Sequence, residues 1–410
     1  MLQRPRGTRD FLPEEMEARR GLEGTFRDRA RRWGYREIAT PEFEHLELFT
    51  LRSGEGIVEE MYTFEDKGGR KMALRPEITA SVLRMFVNEA RVIPKPLRWF
   101  YFADCFRYER PQKGRYRQFW QFGVELIGAD GPRADAEVIL LAHDLLTAAG
   151  AQFEIRVGHL APVSSLLRDL DPADRKRVMG FLDKHDAQGL GAFLGERGRG
   201  DMADRLQALR GIRALSELWE ITGEIPEKAR IQEMVSLLDA GGVRYSLDFG
   251  IARGLDYYTG MVFEGFGENL GTENQILGGG AYRLAHLFGG DDVASVGFAL
   301  GFDRVMVSLG ERPVHPDLRV AVLATEDGRA RAFSVARAFR DAGVTAVLDL
   351  SERSISAQLS HAAKSAEFAV ILGKREVEAG TVTLKDLKTG EQREVPLSEA
   401  VDGVVRSDAR

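Results

Sequence analysis

The sequence predicts a large region of mixed strands and helices that is interrupted by a helical insert and followed by a small α/β domain. Its 410 residues are too many for one ordinary hydrophobic core. Strand-like, glycine-broken stretches lie on both sides of a long segment whose apolar residues recur with a helical period. Near residue 310 the pattern changes to alternating strands and helices, which is typical of a separate α/β domain.

The first region begins with a predicted helix. Residues 14–33 are amphipathic, rich in Glu and Arg, and end near Gly34. "ARGLDYYTGMVFEGF" at 252–266 and "VASVGFALGFDRVMVSL" at 293–309 are rich in strand-forming residues and broken by glycine. The segment that precedes both stretches is different, because short helical patterns follow one another there, and we expect a helical insert at 160–238.

The second region begins after "GERPVHPDLR", a proline-rich connection at 310–319 that we interpret as the domain boundary. Beyond it, "RVAVLAT", "VTAVLDL" and "FAVILG" are typical of strands, whereas "GRARAFSVARAFRDAG" and "SISAQLSHAAKSA" are typical of helices. "TVTLKDLKTGEQREVPL" predicts a hairpin that turns at Thr389 and Gly390. Strands and helices that alternate in this way predict a mainly parallel sheet.

Composition limits the classes of protein to be considered. Hydrophobic residues make up 44% and charged residues 29% of the chain, as in globular proteins. No apolar run approaches the length that crosses a membrane, and the N-terminus lacks a secretory signal. Cys105 is the only cysteine, which excludes an internal disulfide or a cysteine-built zinc site, and we expect it to be buried. We therefore predict a cytoplasmic protein that does not bind membranes.

Two glycine-rich stretches and the histidines carry little functional signal. "GFGENLG" at 265–271 lacks the spacing of a dinucleotide-binding loop and predicts a turn between strands. "LGGGAY" at 277–282 lacks the Gly-Lys-Ser/Thr of a phosphate-binding loop, and such a glycine run usually lets backbones pack closely. The seven histidines do not have the spacing of metal ligands. We predict no metal site built from protein side chains.

The arginines are harder to explain as ordinary surface residues. The segment 107–117 has four arginines and one lysine against one glutamate, and aromatic residues and Glu125 follow directly. This local charge matters because the net charge of the chain, −6, does not suggest nucleic-acid binding. Arg107, Arg115, Arg253 and Arg304 each lie in or beside a strand-rich, aromatic or glycine-rich stretch. One such arginine commonly makes a salt bridge, but four together indicate phosphate binding.

Several motifs together resemble those of the histidyl-tRNA synthetase family of class II aminoacyl-tRNA synthetases. The resemblance covers nearly the whole chain. It rests on an N-terminal signature, the three class II motifs, a histidine-specific signature and the end of an anticodon-binding domain. These are, respectively, "RGTRDFLP" (6–13), "GYREIATPEFE" with Pro41, "FRYERPQKGRYRQFWQFGVE" (106–125), "GFALGFDR" (297–304), "ARGLDYYTG" (252–260) and "GTVTLKDLKTGEQ" (380–392). The motif 2 stretch and "RGLDYY" are highly specific.

The resemblance implies a fold, a set of domains and a two-step reaction. The implied fold is an α+β class II catalytic domain, an antiparallel sheet flanked by helices, at 1–159 and 239–312. It contains a helical insertion domain at 160–238, and a C-terminal α/β anticodon-binding domain follows at 317–410. The implied enzyme is a histidine–tRNA ligase. Histidine would attack the α-phosphate of ATP to give histidyl-adenylate and pyrophosphate, and the tRNA 3′-terminal hydroxyl would then accept the histidyl group.

The resemblance also implies roles for the arginines. Arg107 would contact the α-phosphate and the substrate carboxylate, and Arg253 would stabilise charge at the α-phosphate, where other class II enzymes place a metal ion. We therefore predict that both are catalytic. Arg115 and Arg304 would hold the far phosphates of a bent ATP. Arg304 and Phe119 would enclose the adenine between a guanidinium and a ring.

A second set of residues is implied to bind histidine. Glu125 and Tyr258 would bind the imidazole edge, and Tyr282 would lie near it. Glu77, Thr79 and Gln121 would hold the α-ammonium, and Arg253 is also implied to bind histidine. From the residues alone, Glu125 could equally be a strand carboxylate paired with an arginine.

The implied partners are histidine, ATP with Mg²⁺, tRNA(His) and a second copy of the chain. Gln112 in the motif 2 loop would approach the tRNA acceptor end, and the C-terminal domain would read the anticodon. Motif 1 lies at a dimer interface in this family, so we predict a homodimer.

The sequence departs from the family pattern in one glycine-rich stretch. The family usually has "GGGRYD" where this chain has "GGGAYR" at 278–283, so an Arg is replaced by Ala281 and an Asp by Arg283.

Two other classes of protein are alternatives to a synthetase. One alternative is the synthetase-like regulatory subunit of ATP phosphoribosyltransferase, which lacks an anticodon domain and loses motif 2 or ATP-site residues. The other is a non-catalytic RNA-binding protein on a decayed class II core. The chain retains the motifs that these two classes lose.

Overall fold

The computed structural model describes residues 2–53, 55–110, 114–251, 258–271, 274–310 and 319–408. The chain divides into two compact units, Met1–Arg312 and Pro313–Arg410. Among the helices of these described ranges, none is both long enough and apolar enough to span a bilayer.

The first unit contains most of the secondary structure. Its strands are β1 (Arg36–Glu37), β2 (Phe43–His45), β3 (Thr63–Glu65), β4 (Lys71–Leu74), β5 (Leu97–Phe106), β6 (Gln118–Ile127), β7 (Phe153–His159), β8 (Ser246–Leu247), β9 (Tyr258–Gly267), β10 (Gln275–Tyr282) and β11 (Ser295–Gly301). Its helices are α1 (Pro13–Arg32), α2 (Leu46–Ser53), α3 (Thr79–Met85), α4 (Pro132–Ala148), α5 (Leu160–Leu166), α6 (Pro172–Asp183), α7 (Ala187–Gly195), α8 (Gly200–Ala208), α9 (Leu215–Thr222), α10 (Lys228–Ala240) and α11 (Phe302–Leu309). Short 3-10 helices span Glu55–Glu60 and Ala285–Phe288, and a π-helical segment spans Phe86–Ala90.

An eight-stranded sheet organises this unit, in the order β1-β5-β6-β11-β10-β9-β7-β8. The neighbours from β5 to β7 are all antiparallel, and only the two outer pairs, β1/β5 and β7/β8, are parallel. The antiparallel sheet predicted for the catalytic domain is therefore confirmed. A separate three-stranded sheet has the order β2-β4-β3.

Helices cover one face of the main sheet and form the core with it. The helix predicted at 14–33 is α1, which has Pro13 at its first position, acidic residues in its first turn and basic residues in its last, all of which favour a helix. Its residues Phe26 and Ala30 are fully buried with Phe100 and Phe122 of the sheet and with helix α4. Burial of each such aromatic side chain contributes about 1.5–3 kcal/mol.

The segment between β7 and β8 is helical, as its periodicity predicts. It consists of α5 to α10, and Asp171 and Asp186 cap α6 and α7 by accepting backbone N–H groups. These helices share a hydrophobic core of their own, with Leu194, Leu206 and Leu218 fully buried. The bounds 160–238 for an insertion domain stay a prediction.

The second unit alternates strands and helices. Its elements are β12 (Arg319–Ala324), α12 (Arg329–Asp341), β13 (Thr345–Leu348), α13 (Ile355–Ala362), β14 (Phe368–Leu372), α14 (Lys374–Ala379), β15 (Thr381–Asp386), β16 (Gln392–Pro396) and α15 (Leu397–Asp408). The sheet order is β13-β12-β14-β15-β16. The sheet is mixed. Strands β13, β12 and β14 are parallel, as their alternation with helices predicts, and β15 and β16 form the predicted hairpin, in which β15 pairs antiparallel with both β14 and β16. The short turn containing Gly390, whose φ is +82°, can join only antiparallel strands.

The glycine run predicted to allow close backbone packing lies in the centre of the main sheet. A β-carbon on Gly279 would lie 2.5 Å from the carbonyl oxygen of Gly297, and one on Gly280 would lie 2.8 Å from the Tyr258 ring. Both neighbours belong to the adjoining strands β11 and β9. Only glycine therefore fits at these two positions of β10.

Candidate active site

A cavity of about 700 Å³ opens on the main sheet, over β6, β9, β10 and β11 and beside the start of α11. Most of the predicted site residues line it: Glu77, Thr79, Arg107, Arg115, Phe119, Gln121, Glu125, Tyr258 and Arg304. Tyr282 is fully buried behind the cavity. Arg253 and Gln112 lie outside the described residues.

The basic end of the cavity is formed by Arg107, Arg115 and Arg304. The Nε atom of Arg107 donates to the carbonyl oxygen of Pro76 at 2.9 Å, and its guanidinium carbon lies 5.2 Å from the centre of the Phe119 ring. Arg115 pairs with Glu109, with 2.5 Å between Nε and Oε2. Arg304 lies in the first turn of α11. Permanent charges and a ring face are arranged here as a nucleotide would require.

The opposite end contains a buried carboxylate. Glu125 on β6 is only 1% exposed, and it accepts hydrogen bonds from the hydroxyl of Thr79 at 2.8 Å and from the hydroxyl of Tyr282. Hydroxyl donors orient the carboxylate, and an ionised carboxyl has about four acceptor sites. This position suits a ligand that presents an N–H donor.

Glu77 and Gln121 are also held by local contacts. An oxygen of Glu77 accepts the backbone N–H of Ala80 at 3.1 Å, which fixes the carboxylate at the start of α3. Burial raises the pKa of the Cys105 thiol to about 12, so the thiol stays protonated and donates to Oε1 of Gln121 at 3.4 Å. The prediction that Cys105 is buried is confirmed.

The altered sequence at 278–283 keeps its place in the sheet. Residues 277–282 pair in continuous register with β11, and Tyr282 contacts Glu125. The guanidinium of Arg283 pairs with Asp130 at 2.7 Å and with Asp292 at 3.2 Å. The replacement of Asp by Arg is thus accommodated by two partly exposed carboxylates.

Sequence reasoning missed several residues that line the cavity. Glu264 on β9 accepts from the amide of Gln275 at 3.0 Å, and both line the cavity. The one signal in the sequence is that Glu264 is the single charged residue in the predicted strand "MVFEGF". His185 and Arg210 of the helical segment also reach the cavity, and no motif in the sequence identified them.

Metal ligands do not group together in the part of the chain that the structure describes. Among those residues, there is no set of three or more His, Cys, Asp or Glu side chains placed to hold a metal ion.

The chain matches two family models. The model described as histidyl-tRNA synthetase matches residues 7–305, and the model described as anticodon-binding domain matches residues 317–407. The chain belongs to the histidyl-tRNA synthetase family. The predicted family is therefore confirmed.

Individual members of the histidyl-tRNA synthetase family resemble this chain over their full length. A histidine–tRNA ligase of Methanoculleus marisnigri is 66% identical over 409 residues and covers all of both chains. One of Methanoregula boonei is 65% identical over 410 residues, again over all of both chains. A solved structure, the apo histidyl-tRNA synthetase of S. aureus, is 27% identical with a TM-score of 0.75, and the match covers 98% of this chain and 100% of that one.

Proposed function

We propose that this protein is a histidine–tRNA ligase. The observation that carries the proposal is the cavity itself, in which arginines and an aromatic ring at one end lie opposite a buried, hydroxyl-bonded carboxylate at the other. The full-length similarity to histidine–tRNA ligases and the match to an anticodon-binding domain at 317–407 support it. The same match argues against the regulatory subunit, a class that lacks this domain.

In the adenylation step, the carboxylate oxygen of histidine attacks the α-phosphorus of ATP and pyrophosphate leaves. Arg107 and Arg253 act at the α-phosphate and are the catalytic residues, since charge develops there in the transition state. Arg115 and Arg304 hold the far phosphates, and Phe119 with Arg304 encloses the adenine. The position of Arg107 beside the Phe119 ring supports this arrangement. Magnesium is expected to enter bound to ATP, as part of the substrate.

Glu125 and Tyr258 recognise the imidazole. A buried carboxylate gains a charge-assisted hydrogen bond from a ring N–H and loses it with an apolar analogue, which gives strong discrimination. Glu77, Thr79 and Gln121 hold the α-ammonium. Tyr282 acts through Glu125, because its hydroxyl donates to that carboxylate from behind the cavity.

The proposed macromolecular partners are tRNA(His) and a second copy of the chain. The tRNA 3′-terminal hydroxyl takes the histidyl group, with Gln112 near the acceptor end and the second unit on the anticodon. The protein is a cytoplasmic homodimer that assembles through the region of Pro41. Sedimentation at assay concentrations tests the dimer, and a species with only the monomer mass would contradict it.

The test of function is histidine-dependent exchange between pyrophosphate and ATP by the purified protein, with the other amino acids as controls. Exchange with histidine alone, followed by charging of tRNA(His), is the expected outcome. Absence of exchange with every amino acid, from a folded protein that binds ATP, would contradict the proposal and favour the regulatory subunit.

A further inference from the structure

The N-terminal signature at 6–13 has no role in the site described so far. It nevertheless contacts both the chain that carries Arg107 and Arg115 and the start of α11, which carries Arg304. We call residues 5–12 the N-terminal clasp. The backbone carbonyl of Gly7 accepts the N–H of Arg117 at 2.8 Å, and the carbonyl of Arg117 accepts the N–H of Arg107 at 2.9 Å. The clasp is therefore joined by backbone hydrogen bonds to the chain that carries Arg107 and Arg115.

Gly7 can make this contact only because it lacks a side chain. Its φ is +87°, and a β-carbon would lie 2.7 Å from Cγ of Arg117. Both the backbone conformation and the close approach require glycine.

Arg9 joins the clasp to the start of α11. Its guanidinium donates to Asp303, which is 1% exposed and directly precedes Arg304. Arg19 also donates to Asp303, at 2.8 Å, and the other carboxylate oxygen accepts the backbone N–H of Trp120 at 2.7 Å. The buried carboxylate of Asp303 thus joins the clasp, helix α1 and strand β6 to the start of α11.

Aromatic rings hold the Arg9 guanidinium in place. Its central carbon lies 3.7 Å from the centre of the Tyr116 ring and 4.7 Å from that of Phe11. Tyr116 directly follows Arg115 and lines the cavity. Stacking of a planar guanidinium on a ring is specific to arginine, because an ammonium lacks the plane.

We propose that Arg9 is a positioning residue for the ATP side of the site. It acts through Asp303 on Arg304 and through Tyr116 on Arg115, and it touches no part of the substrate itself. This inference rests on the proposed function, since it assumes that those two arginines bind ATP. The hydrogen bonds described for Glu125 at the histidine end join it to Thr79 and Tyr282, away from the clasp and Asp303, so the effect of Arg9 is selective for ATP.

The test compares Michaelis constants for ATP and for histidine in the exchange reaction, together with ATP binding measured by calorimetry. Arg9→Met is expected to raise the KM for ATP at least tenfold and to change the KM for histidine less than twofold. Arg9→Lys restores part of the loss, because it keeps the charge but not the stacking. Gly7→Ala is expected to resemble Arg9→Met, since it separates the clasp from Arg117.

Two controls match these variants. Arg4→Met removes an exposed arginine just before the clasp, which pairs with Asp10 at 3.6 Å. Gly69→Ala alters a glycine with φ +75° where a β-carbon meets no atom within 4 Å. Both should leave the two Michaelis constants unchanged.

An unchanged KM for ATP in both Arg9→Met and Gly7→Ala would overturn the inference, as would an equal rise in both Michaelis constants. If Arg9→Met fails to fold, Arg9→Lys and Gly7→Ala decide the outcome. Wild-type protein without exchange would contradict the proposed function instead, and the calorimetric comparison would then still test whether Arg9 affects ATP binding.

Discussion

Gly297 lies directly opposite Glu125 on the neighbouring strands β11 and β6, and a β-carbon at Gly297 would lie 2.1 Å from Oε2 of Glu125. The carboxylate therefore occupies the space that a side chain on β11 would take. The position of this buried acceptor depends on a glycine far away in the sequence.

Gly297→Ala is expected to impair histidine binding more than ATP binding. The new methyl group must displace the Glu125 carboxylate or the strand, and overpacking of this kind costs about 1–3 kcal/mol. Michaelis constants from pyrophosphate exchange measure the effect on binding, and a thermal melt measures the effect on stability. Gly180→Ala is the control, because a β-carbon there meets no atom within 4 Å; an equal change in both Michaelis constants would contradict the prediction.

Glu125→Gln is expected to raise the KM for histidine by about 10- to 150-fold. The reason is the loss of a charge-assisted hydrogen bond to the imidazole N–H, which is worth about 1.5–3 kcal/mol. The KM for ATP should change little. Glu137→Gln is a suitable control, because Glu137 pairs with Arg98 at 2.8 Å and does not line the cavity. Equal losses for histidine and ATP would instead indicate a structural role for Glu125.

Arg253→Ala is expected to abolish most adenylation and to leave the fold intact. A guanidinium at the α-phosphate stabilises charge that develops in the transition state, and loss of one such group typically costs about 10²–10³ in rate. Exchange kinetics give the activity, and circular dichroism with a thermal melt gives the fold. Near-normal exchange in a folded variant would refute the catalytic role of Arg253.

His159 is expected to make stability depend on pH. Burial, with a smaller contribution from Arg230, lowers the pKa of His159 from 6.5 to about 4. The unfolded chain then binds more protons than the folded one between these values. The contribution of neutral His159 to stability is fully present above pH 6.5 and is lost as the pH falls towards 4. Between pH 7 and pH 5 this group should lower the free energy of unfolding by about 2 kcal/mol.

His159→Asn isolates this effect. Nδ1 of His159 accepts the backbone N–H of Ala161 and so caps α5, and asparagine can provide an equivalent acceptor without titrating. Denaturant unfolding of both proteins at pH 7 and pH 5 measures the difference. The same loss of stability in both proteins would show that another group is responsible.

Sequence patterns predicted those features that depend on local periodicity or on a specific motif. The helix α1, the helical segment between β7 and β8, and the hairpin at Thr389 and Gly390 follow from spacing alone, and the motifs indicated Arg107, Glu125 and Arg304. The hydroxyl partners of Glu125 depend on the register of distant strands, which the sequence does not reveal. The pairing of Arg9 with Asp303 joins opposite ends of the first unit, so no spacing could have predicted it.

The strand order has a consequence for synthesis of the protein. Strand β6, with Glu125, pairs with β5 early in the chain, but its other edge is covered only by β11, which follows the whole helical segment. A chain growing on the ribosome therefore carries half of the binding site on an open, apolar sheet edge while that segment is made. Such an edge can pair with other chains, and the arrival of β11 both completes the pocket and removes this hazard.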